Sequence, residues 1–534
     1  MAIEYDCDIL VVGAGILGGA VANSLAKQGR SVTILEAGPR VKRSEILEAF
    51  RQYGNKSDYN GPYPDVPWAP KSASGKYSDD YIESVGNITQ KPAFLRLVGG
   101  TTWHWGGATW RNLPSDFKLK TLYGHGRDWP IDYDMLETWY QQAEEEIGVS
   151  GSNTDDQRGL GQQPYPPRSK PYPMAMQPWS YLTQQVAEKV STVNHHFVDE
   201  PNARATRPYQ GRPICAGNNN CAPICPIGAQ FSGDKPVVWA EQNGAKLLVN
   251  AVAYRIEKGP DNKIVAIHYK NPQGESTRLT ARYFVLAAHG VETPKLMLMS
   301  DIGNSSDQVG RNMMGHTGRS ISMLVQDPVW AGRGPTQQGS INTWRDTPLR
   351  HQHAAIRHFL DNTVPNELIT RRLLSQGIVG PELDRLIRHN CARYLKIASY
   401  VEVLPDPTNR VTLSNKRDAL GLPTPRIDYD IAHEYTMNAM ALLYKDYDQF
   451  RSLFGATEVL NDIQAWVPSS HIMGTTIMGS DPRDSVVNHE CRSFDHANLF
   501  ITSTSVHPSS TVVNPTLTGY AIALRVAEII NKEI

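Results

Sequence analysis

Three of the chain's six cysteines crowd into one short stretch, "ICAGNNNCAPIC", at Cys215, Cys221 and Cys225. Thiolates bind metals, exchange disulfides or attack electrophiles, and their spacing separates these uses. A structural zinc site takes four ligands, and neither a CxxC pair nor a nearby histidine completes one here. A disulfide leaves one thiol over. An iron–sulfur cluster suits C-x5-C-x3-C better, because thiolates are its ligands and a proline, Pro226, follows the last cysteine as in ferredoxin motifs. A [3Fe–4S] cluster lacks one corner iron and takes three thiolates; [4Fe–4S] is the alternative. Gly217 and the Asn218 to Asn220 run let such a loop wrap tightly and turn N–H groups toward sulfur, which tunes a cluster's potential. Cys7, Cys391 and Cys491 are scattered and read as small buried apolar residues.

A second chemical signal opens the chain. The β-branched run "DILVV" leads into "GAGILGG", which gives G-x-G-x-x-G at Gly13, Gly15 and Gly18. A helix, Ala20 to Lys27, follows, and then a strand, Ser31 to Leu35, that ends at Glu36. In this order Gly13 makes the turn, Gly15 admits a pyrophosphate to the backbone, and Gly18 lets helix and strand pack closely. The helix N-terminus supplies N–H donors for phosphate, and Glu36 accepts from ribose hydroxyls. A second dinucleotide motif, which a nicotinamide enzyme would need, is not found.

The elements that position these groups must be read from a chain of 534 residues, long enough for two or three domains or one composite domain. Hydrophobic residues make up 40% and charged residues 20%, as in globular proteins. A formal net charge of -1 gives no reason to expect nucleic acid or an anionic membrane as partner. No run of about 18 apolar residues marks a membrane span. The start, "MAIEYDCDILVVGAG", lacks a basic n-region and a cleavage site, so export would rely on a partner.

Several blocks then carry a resemblance. "LEAGP", "VGGTTWHWGG" (Val98 to Gly107), "AAHGVETPKLMLMS" (Ala287 to Ser300), "VGRNMMGH" (Val309 to His316), "SSHIMGTTIMG" (Ser469 to Gly479) and "VVNPTLTGYAIALRVAE" resemble the glucose–methanol–choline family of FAD oxidoreductases, in the family's order along almost the whole chain. The resemblance implies an α/β fold. A discontinuous FAD domain (residues 1–116, 236–319 and 466–534) holds a doubly wound sheet with an added antiparallel layer. A substrate domain (residues 117–235 and 320–465) carries a large antiparallel sheet over the flavin and the cysteine loop at 214–230. Coarse patterns agree: Arg282 to Gly290 reads as a strand entering a turn, and "TGYAIALRVAEIINKE" as an amphipathic closing helix. The segment "DWPIDYDMLETWYQQAEEEIGV" reads as a helix with Met135, Leu136, Trp139 and Tyr140 as its apolar residues.

Alcohol oxidation by a flavin needs a base for the hydroxyl proton and an acceptor for the carbinol hydride. His471 sits in a loop rich in small polar residues and is the base candidate; by resemblance it pairs with Asn514, which orients the substrate oxygen. Ser470 stands where relatives often have Asn and is a substrate-contact candidate. His316 replaces a more usual "DHP" wording and reads as structural support near the flavin. Gly99 and Gly100 let backbone approach the isoalloxazine ring. His104, between Trp103 and Trp105, resembles the histidine that some members bond covalently to the flavin 8α-methyl; noncovalent packing is the other reading.

The loop "RPICAGNNNCAPICPIGAQFSG" is similar to the cluster loop of the catalytic subunit of bacterial membrane-bound sugar dehydrogenases, such as the FAD glucose, fructose and gluconate 2-dehydrogenase complexes. The blocks "PYPDVPWAP", "DFKLKTLYGHGRDWPI" and "DPRDSVV" support that likeness. Ala216 stands where those relatives carry a second adjacent cysteine, which implies that thiol is no ligand. The resemblance implies a sugar or sugar acid as substrate, with glucose or gluconate first. It implies a multi-haem cytochrome c membrane subunit as electron acceptor, a small subunit exported with a twin-arginine signal, and a place on the periplasmic face of the bacterial inner membrane. An oxygen-using oxidase, a non-redox lyase and an electron-transfer subunit without substrate chemistry are the alternatives. The cluster argues against the first two, and His471 with Asn514 argues against the third.

Overall fold

The computed structural model describes residues 4–56, 58–72, 75–77, 81–155, 157–160, 168–431, 433–467 and 470–534. Ser469, in the block that carries His471, lies outside them.

The strand Cys7–Val12 is apolar on both faces and is covered on both, as parallel strands require. Ile9, Leu10 and Val11 are fully buried, each worth about 1.5–3 kcal/mol of burial. This strand pairs in parallel with Val32–Leu35 on one side and with the second half of Ser276–Leu286 on the other. Lys246–Leu248 and Leu499–Ile501 extend the parallel part. The first half of Ser276–Leu286 pairs antiparallel with Ile264–Lys270, which continues into Val252–Lys258. One long strand therefore joins a doubly wound sheet to an antiparallel layer, as the family resemblance implies.

The first helix runs Ile16–Lys27, earlier than its apolar run announces. Two glycines in its first turns hide its start from propensity, since each costs about 1 kcal/mol against alanine. Packing explains Gly18: a methyl group there would lie 1.9 Å from the Gly13 carbonyl oxygen. The helix Tyr133–Ile147 corrects one expectation. Its N-cap Asp132 accepts from the Met135 N–H at 2.9 Å, and Leu136, Tyr140, Ala143 and Ile147 face inward. Met135 is 42% exposed, because adjacent helical residues lie about 100° apart.

A second, six-stranded antiparallel sheet is ordered Ala456–Val459, Thr317–Val325, Tyr394–Val401, Ile356–Leu360, Gly339–Ile341 and Phe197–Asp199. Leu395, Ile397 and Val401 point to one face and pack with Leu443, Tyr447 and Phe450 of the helix Glu434–Leu453. By the period of two, Lys396, Ala398 and Tyr400 point to the other face. That face borders the large cavity described next. Among the described residues, no helix is long and apolar enough to cross a membrane.

Candidate active site

A cavity of about 1310 Å³ opens between the two sheets. Gly13, Gly15, Glu36, Gly99, Gly100 and His104 line its nucleotide side. Ser470, His471 and Asn514 line the same cavity, so these sequence-predicted residues reach one space. Gly18 lies in the helix–turn packing instead. The space beside Gly15 is open to 4 Å, where a side chain would intrude on a phosphate. A methyl group at Gly100 would come within 3.3 Å of the Gly15 Cα, so the two glycine segments face each other. Gly99 has a separate reason to be glycine: a side chain there would strike the Trp103 indole nitrogen at 2.5 Å. Glu36 Oε2 accepts from the Ala14 N–H at 2.9 Å and Oε1 from the Gly38 N–H at 3.0 Å. Burial raises its carboxyl pKa, against those two donors. His104 is buried, its Nε2 lacks a hydrogen-bond partner, and burial lowers its pKa to about 4. Open glycine backbone and an unpartnered imidazole nitrogen are what an FAD would cover, so the residues fit the cofactor.

The base candidate is set by a chain of hydrogen bonds. Ser510 offers a carbonyl oxygen, so His316 Nε2, 3.0 Å away, must carry the proton and donate. His316 Nδ1 is then an acceptor, and His471 Nδ1, 2.9 Å from it, must donate. That leaves the lone pair on His471 Nε2. Asn514, 43 residues further along the chain, places its Nδ2 3.1 Å from that atom. The carboxamide's orientation is fixed in turn. Arg357 has no acceptor, and its Nη2 donates to Asn514 Oδ1 at 2.9 Å, so the NH₂ group faces His471. Arg357 is fully buried, pairs with Glu200 at 2.9 Å and packs beside the rings of Trp110, Phe359 and Tyr400.

Burial lowers the His471 pKa well below the ordinary 6.5, and the neighbouring His316 and Arg357 push it further. His471 is thus a neutral imidazole with its Nε2 lone pair toward Asn514. Backbone bonds in both directions between Met314 and Met473, each 2.9 Å, hold the two histidine loops together. Ser470 Oγ accepts from the Ala93 N–H at 3.1 Å, so its hydroxyl proton remains to be donated.

Sequence reading missed Arg357 and Glu200. A trace existed in "AAIRHFL", where an arginine interrupts a buried strand, a residue type rarely buried unless paired.

The cysteine loop lies beside this cavity. Asn218 to Asn220 and Ala222 line it. All three thiols are free of disulfides, and Cys221 is buried. Burial raises the Cys215 pKa, against a backbone N–H from Gly217 and the charge of Arg204. The loop is braced by Cys215 N–H to Ala205 O at 2.9 Å, Arg43 to Cys225 O at 2.6 Å, and Asn219 to Asn362 O at 2.6 Å. Among the described residues, no set of three or more His, Cys, Asp or Glu side chains is gathered as a metal site. Thiols are the donors an iron–sulfur cluster takes, but among the described residues these three are not gathered into a ligand set.

Comparison with known proteins matches this architecture. The GMC oxidoreductase N- and C-terminal signatures match residues 205–318 and 405–523, and an NAD(P)-binding Rossmann-like signature matches residues 11–42. The chain is 42% identical to the fructose dehydrogenase large subunit of Gluconobacter japonicus, over 99% of this chain and 98% of that one. It is 28% identical to 2-methyl-1,2-propanediol dehydrogenase of Mycolicibacterium austroafricanum (98% and 95% covered), and 24% identical to the gluconate 2-dehydrogenase flavoprotein of Pantoea cypripedii (95% and 91%). Among solved structures, pyridoxine 4-oxidase from Mesorbium loti superposes with a TM-score of 0.65 at 17% identity, covering 98% of this chain and 99% of that one. An Aspergillus oryzae formate oxidase reaches 0.69 at 14%, with 99% of each chain covered. At those identities the structures speak for the fold alone. With its Rossmann-like turn, its two sheets and a full-length relative at 42% identity, the chain belongs to the GMC oxidoreductase family.

Proposed function

We propose that this FAD-dependent dehydrogenase oxidises a hydroxyl of a sugar or sugar acid and passes the electrons to a one-electron acceptor. The observation that carries the reading is the His471–Asn514 pair, with an unprotonated Nε2 beside an amide donor in the cavity that the dinucleotide turn also lines. FAD, held by the glycine turn and Glu36, would supply the acceptor for the carbinol hydride. His471 Nε2 takes the hydroxyl proton. Asn514 Nδ2–H donates to the substrate oxygen as negative charge grows there. His316 keeps the His471 tautomer, and Arg357 keeps the Asn514 amide from turning over. Ser470 and Tyr400 border the same space, where a bound substrate would meet them. The sugar assignment is supported by likeness to a fructose and a gluconate dehydrogenase; it sets a ketohexose beside glucose and gluconate as a candidate.

For the acceptor, support comes from the C-x5-C-x3-C loop beside the cavity. Cys215, Cys221 and Cys225 would hold a [3Fe–4S] cluster, which supplies one-electron transfer when bound. A relative named as a large subunit supports a partnered assembly. We place this chain with a small twin-arginine-exported subunit and a multi-haem cytochrome c subunit, on the periplasmic face of the bacterial inner membrane. The test is acceptor choice under turnover: rapid cytochrome c reduction with little peroxide is expected, and vigorous peroxide production would favour an oxidase.

Two further outcomes follow. A base is lost only when pH falls below its own folded-state pKa, and that of His471 lies well under 6.5. The rate of anaerobic flavin reduction should therefore hold as pH falls through 6.5; a loss of rate with its midpoint there would contradict the lowered pKa of His471. The unpartnered His104 Nε2 supports a covalent flavin link. Denaturing gels of acid-precipitated protein should then show a fluorescent band at the chain's mass, absent in His104→Ala; release of all the flavin by acid would end the covalent reading.

A further inference from the structure

The cavity face of the second sheet carries two facing columns of side chains. Cross-strand register sets Arg357 opposite Tyr400 and Phe359 opposite Ala398. Tyr400 stands at the catalytic end, its ring 5.4 Å from that of His471 and 4.8 Å from that of Phe359. One rung further, Ala398 leaves room above the sheet. Beyond it, Asp361 and Lys396 form an ion pair of 2.6 Å, and the Asp361 N–H donates to the Lys396 carbonyl at 3.2 Å. Both side chains line the cavity and keep 19% and 29% of their surface exposed. From Tyr400 to Lys396 the strand rises about 13 Å, at about 3.3 Å per residue. The columns thus lead from base, over an aromatic platform, past a small residue, to a charged pair.

We propose that the Asp361–Lys396 pair is the far subsite for substrate and selects neutral polyhydroxyl compounds over sugar acids. This rests on the dehydrogenase reading above and narrows its substrate class. A carboxylate accepts hydrogen bonds and an ammonium donates them, so neighbouring hydroxyls of a sugar use both groups at once. Each ion neutralises the other, so a substrate carboxylate finds no free cation and meets Asp361 as a like charge. A hexose laid against Phe359 and Tyr400, with its reacting hydroxyl at His471, turns its remaining hydroxyls toward the pair. The cysteine loop closes this corner: the Asn219 side chain donates to the carbonyl of Asn362, the residue after Asp361.

The test compares wild type, Asp361→Asn and Lys396→Met, each as FAD-loaded protein with flavin content checked. Binding of fructose, glucose and gluconate is measured by calorimetry, and flavin bleaching is followed separately. Wild type should bind a neutral hexose more tightly than gluconate. Both variants should lose about tenfold or more in neutral-sugar affinity, the scale of a hydrogen bond to a charged group. Asp361→Asn alone should gain affinity for gluconate, because it leaves Lys396 uncompensated. Unchanged neutral-sugar affinity in both variants, or an unchanged selectivity ratio in Asp361→Asn, overturns the subsite. If binding follows the pattern but no sugar bleaches the flavin, the subsite stands and the dehydrogenase reading falls. If sugars bleach the flavin with equal affinity in all three proteins, the reverse holds.

Discussion

His471→Ala is expected to lower substrate-driven flavin reduction by about 10²–10⁴-fold, the range that a positioned general base contributes. FAD should stay bound, because the dinucleotide turn and Glu36 lie on another sheet and do not depend on the imidazole. The size of the effect follows from the lone pair. Ser510, His316 and His471 form one directional chain, and its outcome is an unprotonated Nε2 at the cavity. Alanine removes that atom and leaves the Asn514 amide to meet the substrate oxygen alone. Stopped-flow bleaching under anaerobic conditions, with flavin content measured on the same samples, separates chemistry from loss of cofactor. A wild-type rate in His471→Ala would refute the base assignment.

Cys221→Ser should behave in the opposite way. Sugar should bleach the flavin at close to the wild-type rate, while cytochrome c reduction should fall about a hundredfold or to background, since a hydroxyl is a poor replacement for a cluster thiolate. Cys221 is the buried thiol of the loop and so is the hardest of the three for solvent to replace. The readout need not rest on activity: iron and sulfide content and the electron paramagnetic resonance signal of the oxidised protein should fall together. Cys391, whose thiol reaches Asn366 at 3.2 Å, is the control and should change none of these on replacement by Ser. Unchanged cytochrome reduction in Cys221→Ser would end the relay hypothesis.

The fold was legible where chemistry forces a local pattern. A glycine turn between a buried strand and a helix is such a pattern, and Gly13, Gly15 and Gly18 lie where their spacing requires. His471 and Asn514 were legible as residues, since the family motifs carry them, and the structure brings their side chains to 3.1 Å. Their supports were legible only in His316, read as structural support near the flavin. Arg357, Glu200 and Ser510 come from three distant parts of the chain, and they act through hydrogen-bond direction, which spacing along a sequence does not encode. The Asp361–Lys396 pair was hidden for the same reason: Asp361 follows the end of one strand and Lys396 lies on its neighbour, and only the register of the sheet sets them together. Met135 shows the limit of an apolar stripe, since one residue of phase separates the buried face from the exposed one.

In the proposed reaction a sugar hydroxyl is oxidised at His471 and Asn514 by FAD held on this chain. Anaerobic mixing of the FAD-loaded protein with a panel of sugars and sugar acids tests it most directly. The flavin absorbance band should bleach fully with at least one sugar, Asn514→Ala should slow this at least tenfold, and cytochrome c should restore the colour faster than oxygen does. A flavin that stays oxidised with every sugar and sugar acid in the panel, while a simple alcohol bleaches it, would contradict it.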